Sequence, residues 1–118
     1  MTDQQTSIIP FQTGKGLTLG ASVSFNRQEI QAILNVYGKM VAGGHWKDYA
    51  LDVGRESAIF SIYQRASERP VFKITKTPAS AHKQGAFAVI SAQGQTLKRG
   101  KDLSRVLKIF NRKLIKLV

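Results

Sequence analysis

Residues 57–64 read SAIFSIYQ, and this run decides the fold of the chain. Successive side chains of a β-strand point to opposite faces of its sheet. The run therefore predicts a strand with one face made of Ala58, Phe60 and Ile62. The other face then carries Ile59, Ser61 and Tyr63.

Four neighbouring runs show the same two-residue period or are bounded by turn residues. They predict strands over residues 48–53, 70–76 and 86–92. Residues 95–98 are a candidate for a short fifth strand, so the prediction is four or five strands. Pro70 suits the first residue of its strand, where the missing N–H does least harm. The connections are short, apart from a loop over residues 77–85. Because parallel strands need long crossovers, the sequence predicts an antiparallel meander.

A helix is predicted on each side of these strands. The first begins with Asn26 as N-cap and Glu29 three positions later, which is the pattern of a capping box. Phe25 and Ile30 occupy the positions of a hydrophobic staple, and the helix ends at Gly43-Gly44. Its apolar face should carry Ile30, Ile33, Leu34, Tyr37, Met40 and Val41.

The last helix is expected to run from Lys101 or Asp102 to the C-terminus. Its apolar positions are Leu103, Val106, Leu107, Phe110, Leu114 and Leu117. Two amphipathic helices on one face of a sheet form a two-layer α+β domain. We therefore predict a flexible N-terminal arm over residues 1–23 and a single α+β domain over residues 24–118.

The net charge of +11 is concentrated in one half of the chain. Residues 1–60 hold five basic and five acidic side chains, whereas residues 61–118 hold thirteen basic and two acidic ones. Such a one-sided positive field attracts polyanions. A nucleic acid, an anionic membrane surface and an acidic protein are the partner classes that follow.

The last helix and the loop before it contain the densest basic cluster. Five of its members fall in one stripe of an ideal helix, and no acidic residue falls in that stripe. Contact with the phosphates of a nucleic acid is the leading interpretation, and a solvated helix face is the alternative. The predicted nucleic-acid-binding residues are Lys98, Arg99, Lys101, Arg105, Lys108, Arg112 and Lys116.

Other readings of these features stay open. The order of elements is similar to that of the double-stranded RNA-binding domain, which slightly favours RNA, although this chain has an extra strand and a short first hairpin turn. The open sheet face would show Tyr63, Lys73 and Thr75, and it could bind single strands or form a homodimer. Docking on an acidic protein is the second functional reading. Membrane binding is disfavoured because the core needs Leu107 and Phe110.

No catalytic, metal or cofactor site is predicted, and the chain is expected not to be an enzyme. His45 and Asp48 lie beside Trp46 and Tyr49, but the two aromatic residues are better explained as sealing a helix–sheet junction, with His45 at the end of a helix. Asp48 and Asp52 lack a nearby second histidine as a metal ligand. Without cysteine, a signal-peptide pattern or a long apolar run, the chain is expected to be cytoplasmic.

Several segments resemble a small family of uncharacterised bacterial proteins known only as a domain of unknown function. They are residues 33–38, 45–50, 58–61, 65–70 and 97–100. The resemblance spans about the last four-fifths of the chain. It implies a bacterial source and brings no activity, ligand or catalytic residue.

Overall fold

The computed structural model describes residues 22–65 and 69–112 of the chain. The elements are α1 (Arg27–Ala42), β1 (Asp48–Val53), β2 (Ala58–Tyr63), β3 (Phe72–Lys76), β4 (Phe87–Ser91), β5 (Thr96–Gly100), α2 (Leu103–Leu107) and α3 (Ile109–Arg112). A 3-10 turn, Pro78–Ser80, lies in the loop between β3 and β4. Most of the predicted arm therefore lies outside the described residues. Val23, placed at the end of that arm, donates its N–H to the Gly54 carbonyl at 2.7 Å and so is attached to the sheet.

The five strands form one antiparallel sheet in the order β1-β2-β3-β4-β5. This confirms the meander and the α+β class. Phe60 lies opposite Leu51 of β1 and Ile74 of β3, and Ile74 lies opposite Val89 of β4. Because paired residues point to the same side, one apolar row crosses the sheet. The register between β4 and β5 shifts between Val89 and Ile90.

Both helical regions cover the face that carries this row. Ile33 and Met40 of α1 and Leu103, Val106 and Leu107 of α2 join the buried strand residues in one core. The opposite face shows Tyr63, Lys73 and Thr75, as predicted. Val41 is an exception in α1, because it is 39% exposed rather than part of the core.

The N-terminus of α1 is held by the predicted capping box and by an ion pair that the sequence did not indicate. The Asn26 side chain accepts from the Glu29 N–H at 2.8 Å, and the Asn26 N–H donates to the Glu29 carboxylate at 2.8 Å. The Lys76 ammonium at the end of β3 donates to the same carboxylate at 2.7 Å and to the Ser24 carbonyl at 2.9 Å. Lys76 is therefore a fixed structural cation, although it belongs to the basic half of the chain.

Trp46 forms the junction between α1 and β1, as predicted from its position. It is 1% exposed, and its ring meets the ring of Phe110 edge-on at 5.0 Å between centroids. Tyr49 stacks on Phe60 at 4.7 Å but stays 43% exposed. The junction is thus sealed by Trp46, while Tyr49 lies at its open border.

The last helical region differs from the continuous helix that was expected. It breaks at Lys108 into α2 and α3, with the Lys108 N–H bonded to the Arg105 carbonyl and the Asn111 N–H bonded to the Lys108 carbonyl. Such i→i+3 bonds tighten a turn beyond α-helical geometry. Leu107 and Phe110 on the two sides of the break are 3% and 0% exposed, so both serve the core. Among the described residues, no helix is long and apolar enough to cross a membrane.

Candidate nucleic-acid interface

Six of the seven predicted binding residues lie among the described residues, and they come from three neighbouring elements. Lys98 and Arg99 belong to the edge strand β5, and Lys101 follows it. Arg105 is in α2, Lys108 is at the break between the helices, and Arg112 ends α3. Lys116 lies outside the described residues.

The turn from β5 into α2 places four of these side chains at one corner of the domain. Asp102 is the N-cap of α2, and its carboxylate accepts from the Ser104 N–H at 3.0 Å. This capping holds the start of α2 next to the end of β5, because the cap replaces a hydrogen bond that the first helical turn lacks. Four basic side chains are thereby brought together across the turn.

Lys98, Arg99, Lys101 and Arg105 line one open concavity of about 350 Å³, together with Gly100 and Asp102. We call this site the basic corner. Four cations against one carboxylate leave it with a formal charge of +3. Such a charge in a concave site attracts an anionic group that can reach several donors at once.

Asp102 only weakly neutralises the basic corner. Its carboxylate is 3.7 Å from the Arg105 guanidinium, and the two side chains are 59% and 80% exposed. Exposed ion pairs of this length stabilise a fold by little and exchange readily with other partners. Arg105 therefore keeps most of its donors available for an anion.

Contrary to the sequence prediction, the basic residues do not come together along one stripe of a continuous helix. Lys101 precedes the N-cap, and Lys108 lies where the helix breaks, so these two are not on one face of a continuous helix with Arg105. Proximity arises from the β5–α2 turn instead. Lys108 is exposed, but it does not line the concavity.

Lys98 and Arg99 reach the corner from opposite sides of β5. Lys98 is paired with Val89 and so points to the helix side, whereas Arg99 is paired with Ala88 and points to the open sheet face. An edge strand can present both sides to one ligand because nothing else pairs beyond it among the described residues. The corner thus extends around the sheet edge onto the open face.

Sequence reasoning missed how the loop before β4 meets this corner. Gly85 has a φ of +106°, and an added Cβ there would collide with the Gly100 carbonyl. The end of the loop is therefore in close backbone contact with the end of β5. His82 and Lys83, which are exposed, lie two to three residues before Gly85. The only sequence signal for this contact was an isolated glycine at the end of the loop.

His45, Asp48 and Asp52 do not assemble into a site among the described residues. No hydrogen bond joins His45 to Asp48. Within the described ranges, no group of three histidine or acidic side chains could hold a metal ion. Burial, with Asp48 and Tyr49 nearby, raises the pKa of the Tyr37 phenol above its usual value of 10.0, so this phenol keeps its proton to a higher pH than a free tyrosine.

Comparison with known proteins identifies a family without adding a function. A family profile described as "Protein of unknown function (DUF2794)" matches residues 23–107, which includes every strand, α1 and α2. No curated protein matches the chain. No solved structure matches it either. Because the matched region spans most of the chain, the protein belongs to the DUF2794 family of proteins of unknown function.

Proposed function

We propose that this protein is a non-enzymatic nucleic-acid-binding protein that contacts phosphates through the basic corner. The observation that carries the proposal is the convergence of Lys98, Arg99, Lys101 and Arg105 on one concavity. Ordinary solubilising lysines are dispersed and mixed with acids, and they need no shared concave site. Lys108, Arg112 and Lys116 extend the proposed contact towards the C-terminus.

The contact is mainly electrostatic, so it reads the shape of a nucleic acid more than its sequence. Phosphate contacts release condensed counterions, and affinity then falls linearly on a log–log plot against salt concentration. If the four residues of the corner and Lys108 each neutralise one phosphate of duplex DNA, the slope is about −4.5. RNA is the slightly preferred target, as the order of elements suggests.

The test is fluorescence anisotropy with labelled duplex RNA, duplex DNA and single strands over a salt series. The variant Lys101→Glu/Arg105→Glu reverses two charges at the corner. The matched control is Arg27→Glu/Lys39→Glu, which changes the net charge equally on exposed positions of α1. Circular dichroism checks that both variants are folded.

We expect the corner variant to lose at least tenfold more affinity than the control, with a salt slope reduced in magnitude by about 2. Equal losses in the two variants would mean that only net charge matters. Absence of binding at low salt would leave an acidic protein as the partner class to search. A cytoplasmic location is part of this proposal and remains a prediction.

A further inference from the structure

The most exposed apolar surface lies on the edge strand β1, far from the basic corner. Four large hydrophobic residues are exposed among those described, and three of them are Tyr49 at 43%, Leu51 at 48% and Val53 at 56%. They occupy alternate positions, so all three point to the helix side of the sheet. The fourth, Val41 near the end of α1, is 39% exposed.

The backbone of β1 also has hydrogen-bonding groups that β2 does not use. Gly54 donates its N–H to Ser57 across the β1–β2 hairpin, so even-numbered residues of β1 bond to β2. The N–H and C=O groups of Tyr49, Leu51 and Val53 therefore point away from β2, where the Tyr49 N–H donates to the Asp48 carboxylate at 2.8 Å. On the side away from β2, Val23 bridges to Gly54 at one end of this edge. Among the described residues, none pairs with residues 49–53 on that side.

An apolar, unpaired edge strand is a surface that proteins normally protect with charge or cover. On β1 the acidic side chains, Asp48 and Asp52, lie on the open-face side, so they do not protect the apolar side. They do restrict which strand can pair there, because like charges directly opposite each other are destabilising.

We propose that β1 pairs with β1 of a second copy of this chain, antiparallel, with Leu51 opposite Leu51 of the second copy. In this register Tyr49 lies opposite Val53 of the second copy. The outward backbone groups form about six hydrogen bonds, two of which require the Tyr49 N–H groups to exchange their bonds to Asp48 for bonds across the pair. Asp52 lies opposite Ala50, and the pairing ends at residues 49 and 53, because Val23 already occupies the outer side of Gly54. A shifted register with Leu51 opposite Tyr49 of the second copy also matches the faces. It sets Asp48 opposite Asp52, and the repulsion between these like charges disfavours it.

A second copy fits this edge better than it fits the open sheet face that was first considered for a homodimer. Lys73 lies on the central strand of that face and is exposed. Stacking two such faces about an axis along the central strand would bury two ammonium groups against each other. Pairing through β1 buries apolar side chains and leaves Lys73 in solvent.

The pairing joins two five-stranded sheets into one of ten strands. Because β5 is at the other edge, the two basic corners end up at the far ends, about 45 Å apart at about 4.8 Å per strand. The dimer does not depend on the proposed nucleic-acid binding. Its test uses nuclease-treated protein so that a bound polyanion cannot link two chains.

Sedimentation velocity over a concentration series is the first measurement. We expect a concentration-dependent dimer, because one strand pair is smaller than a standard interface. Leu51→Lys places two like charges at the two-fold axis and should raise the dissociation constant by roughly 100-fold. Thr96→Lys puts the same charge on the other edge strand and should leave it unchanged. A monomer at every concentration, or equal effects of the two variants, overturns the proposal.

Single cysteines test the register, since the chain has no native cysteine. Leu51→Cys brings two sulfur atoms together across a pair with Cα atoms about 5.5 Å apart, a distance that a disulfide spans. It should form a covalent dimer on mild oxidation. Val53→Cys should not, because the two copies of that residue lie about 14 Å apart in this register. Linking by Val53→Cys alone, or by neither variant, contradicts the pairing. Linking by neither variant is also the result expected if residues 1–21 of the same chain cover β1.

Discussion

Replacing Phe110 with alanine is the sharpest test of how the end of the chain is held. Phe110 lies in α3, beyond the region that the family profile matches, yet it is 0% exposed. Its ring packs edge-on against Trp46 at 5.0 Å and against Phe72 at 5.3 Å between centroids. The structure therefore makes α3 part of the core rather than an appended tail.

The expected cost follows from burial and ring contacts. Removing a fully buried phenylalanine costs about 3–5 kcal/mol, which includes the aromatic pairs that it makes. A folded unit of roughly 90 residues has a total stability of about 5–13 kcal/mol. Phe110→Ala should thus remove about a quarter or more of it and lower Tm by about 12–40 °C. Phe110→Leu keeps most of the apolar volume and should cost only about 1–2 kcal/mol.

Urea unfolding followed by circular dichroism measures both variants. Fluorescence of Trp46, the single tryptophan, is a second probe of the same transition. If Phe110→Ala lowered the free energy of unfolding by less than about 1 kcal/mol, α3 would not be docked as described, and the break at Lys108 would have no structural purpose.

Three further outcomes are expected. Gly38→Ala should raise the free energy of unfolding by up to about 1 kcal/mol, because Gly38 is inside α1 with open space around it. Urea unfolding measures this gain, and a loss of stability would contradict the open space around the residue. Gly85→Ala should lower the free energy of unfolding by at least about 2 kcal/mol, since Gly85 has a φ of +106° and the neighbouring Gly100 backbone cannot move away like a side chain. A variant as stable as the parent would contradict this contact. The raised pKa of the Tyr37 phenol means that the folded state retains the phenol proton above pH 10.0 while the unfolded state releases it. The contribution of this group to the free energy of unfolding is therefore fully present below pH 10 and is lost as pH rises above that value. Tyr37→Phe should therefore show a smaller loss of stability than the parent between pH 9 and 11 in urea unfolding, and identical slopes would count against the shift.

The elements of the fold were predictable because their causes are local. The alternation in residues 58–63 and the capping box of Asn26 and Glu29 each act within a few residues. Short connections left an antiparallel meander as the arrangement for the strands. The basic composition of the second half was likewise visible, and it suggested the partner class that we propose.

The arrangement of the candidate site depended on contacts between distant residues. A uniform helix was assumed from Lys101 onwards, whereas burial of both Leu107 and Phe110 accompanies a break at Lys108. The same applies to Lys76, whose ammonium is held by Glu29, 47 positions earlier. A count of charges cannot distinguish such a fixed cation from a free one.

By itself, the sequence determined the strands, the first helix, the α+β class and the one-sided charge of this protein, because these depend on spacing and composition along the chain. Only the tertiary structure decided which cations meet at the β5–α2 turn and which apolar residues remain exposed on β1. Both outcomes depend on which elements become neighbours and which strand is left at the edge of the sheet, and residues far apart in sequence carry no local signal of that.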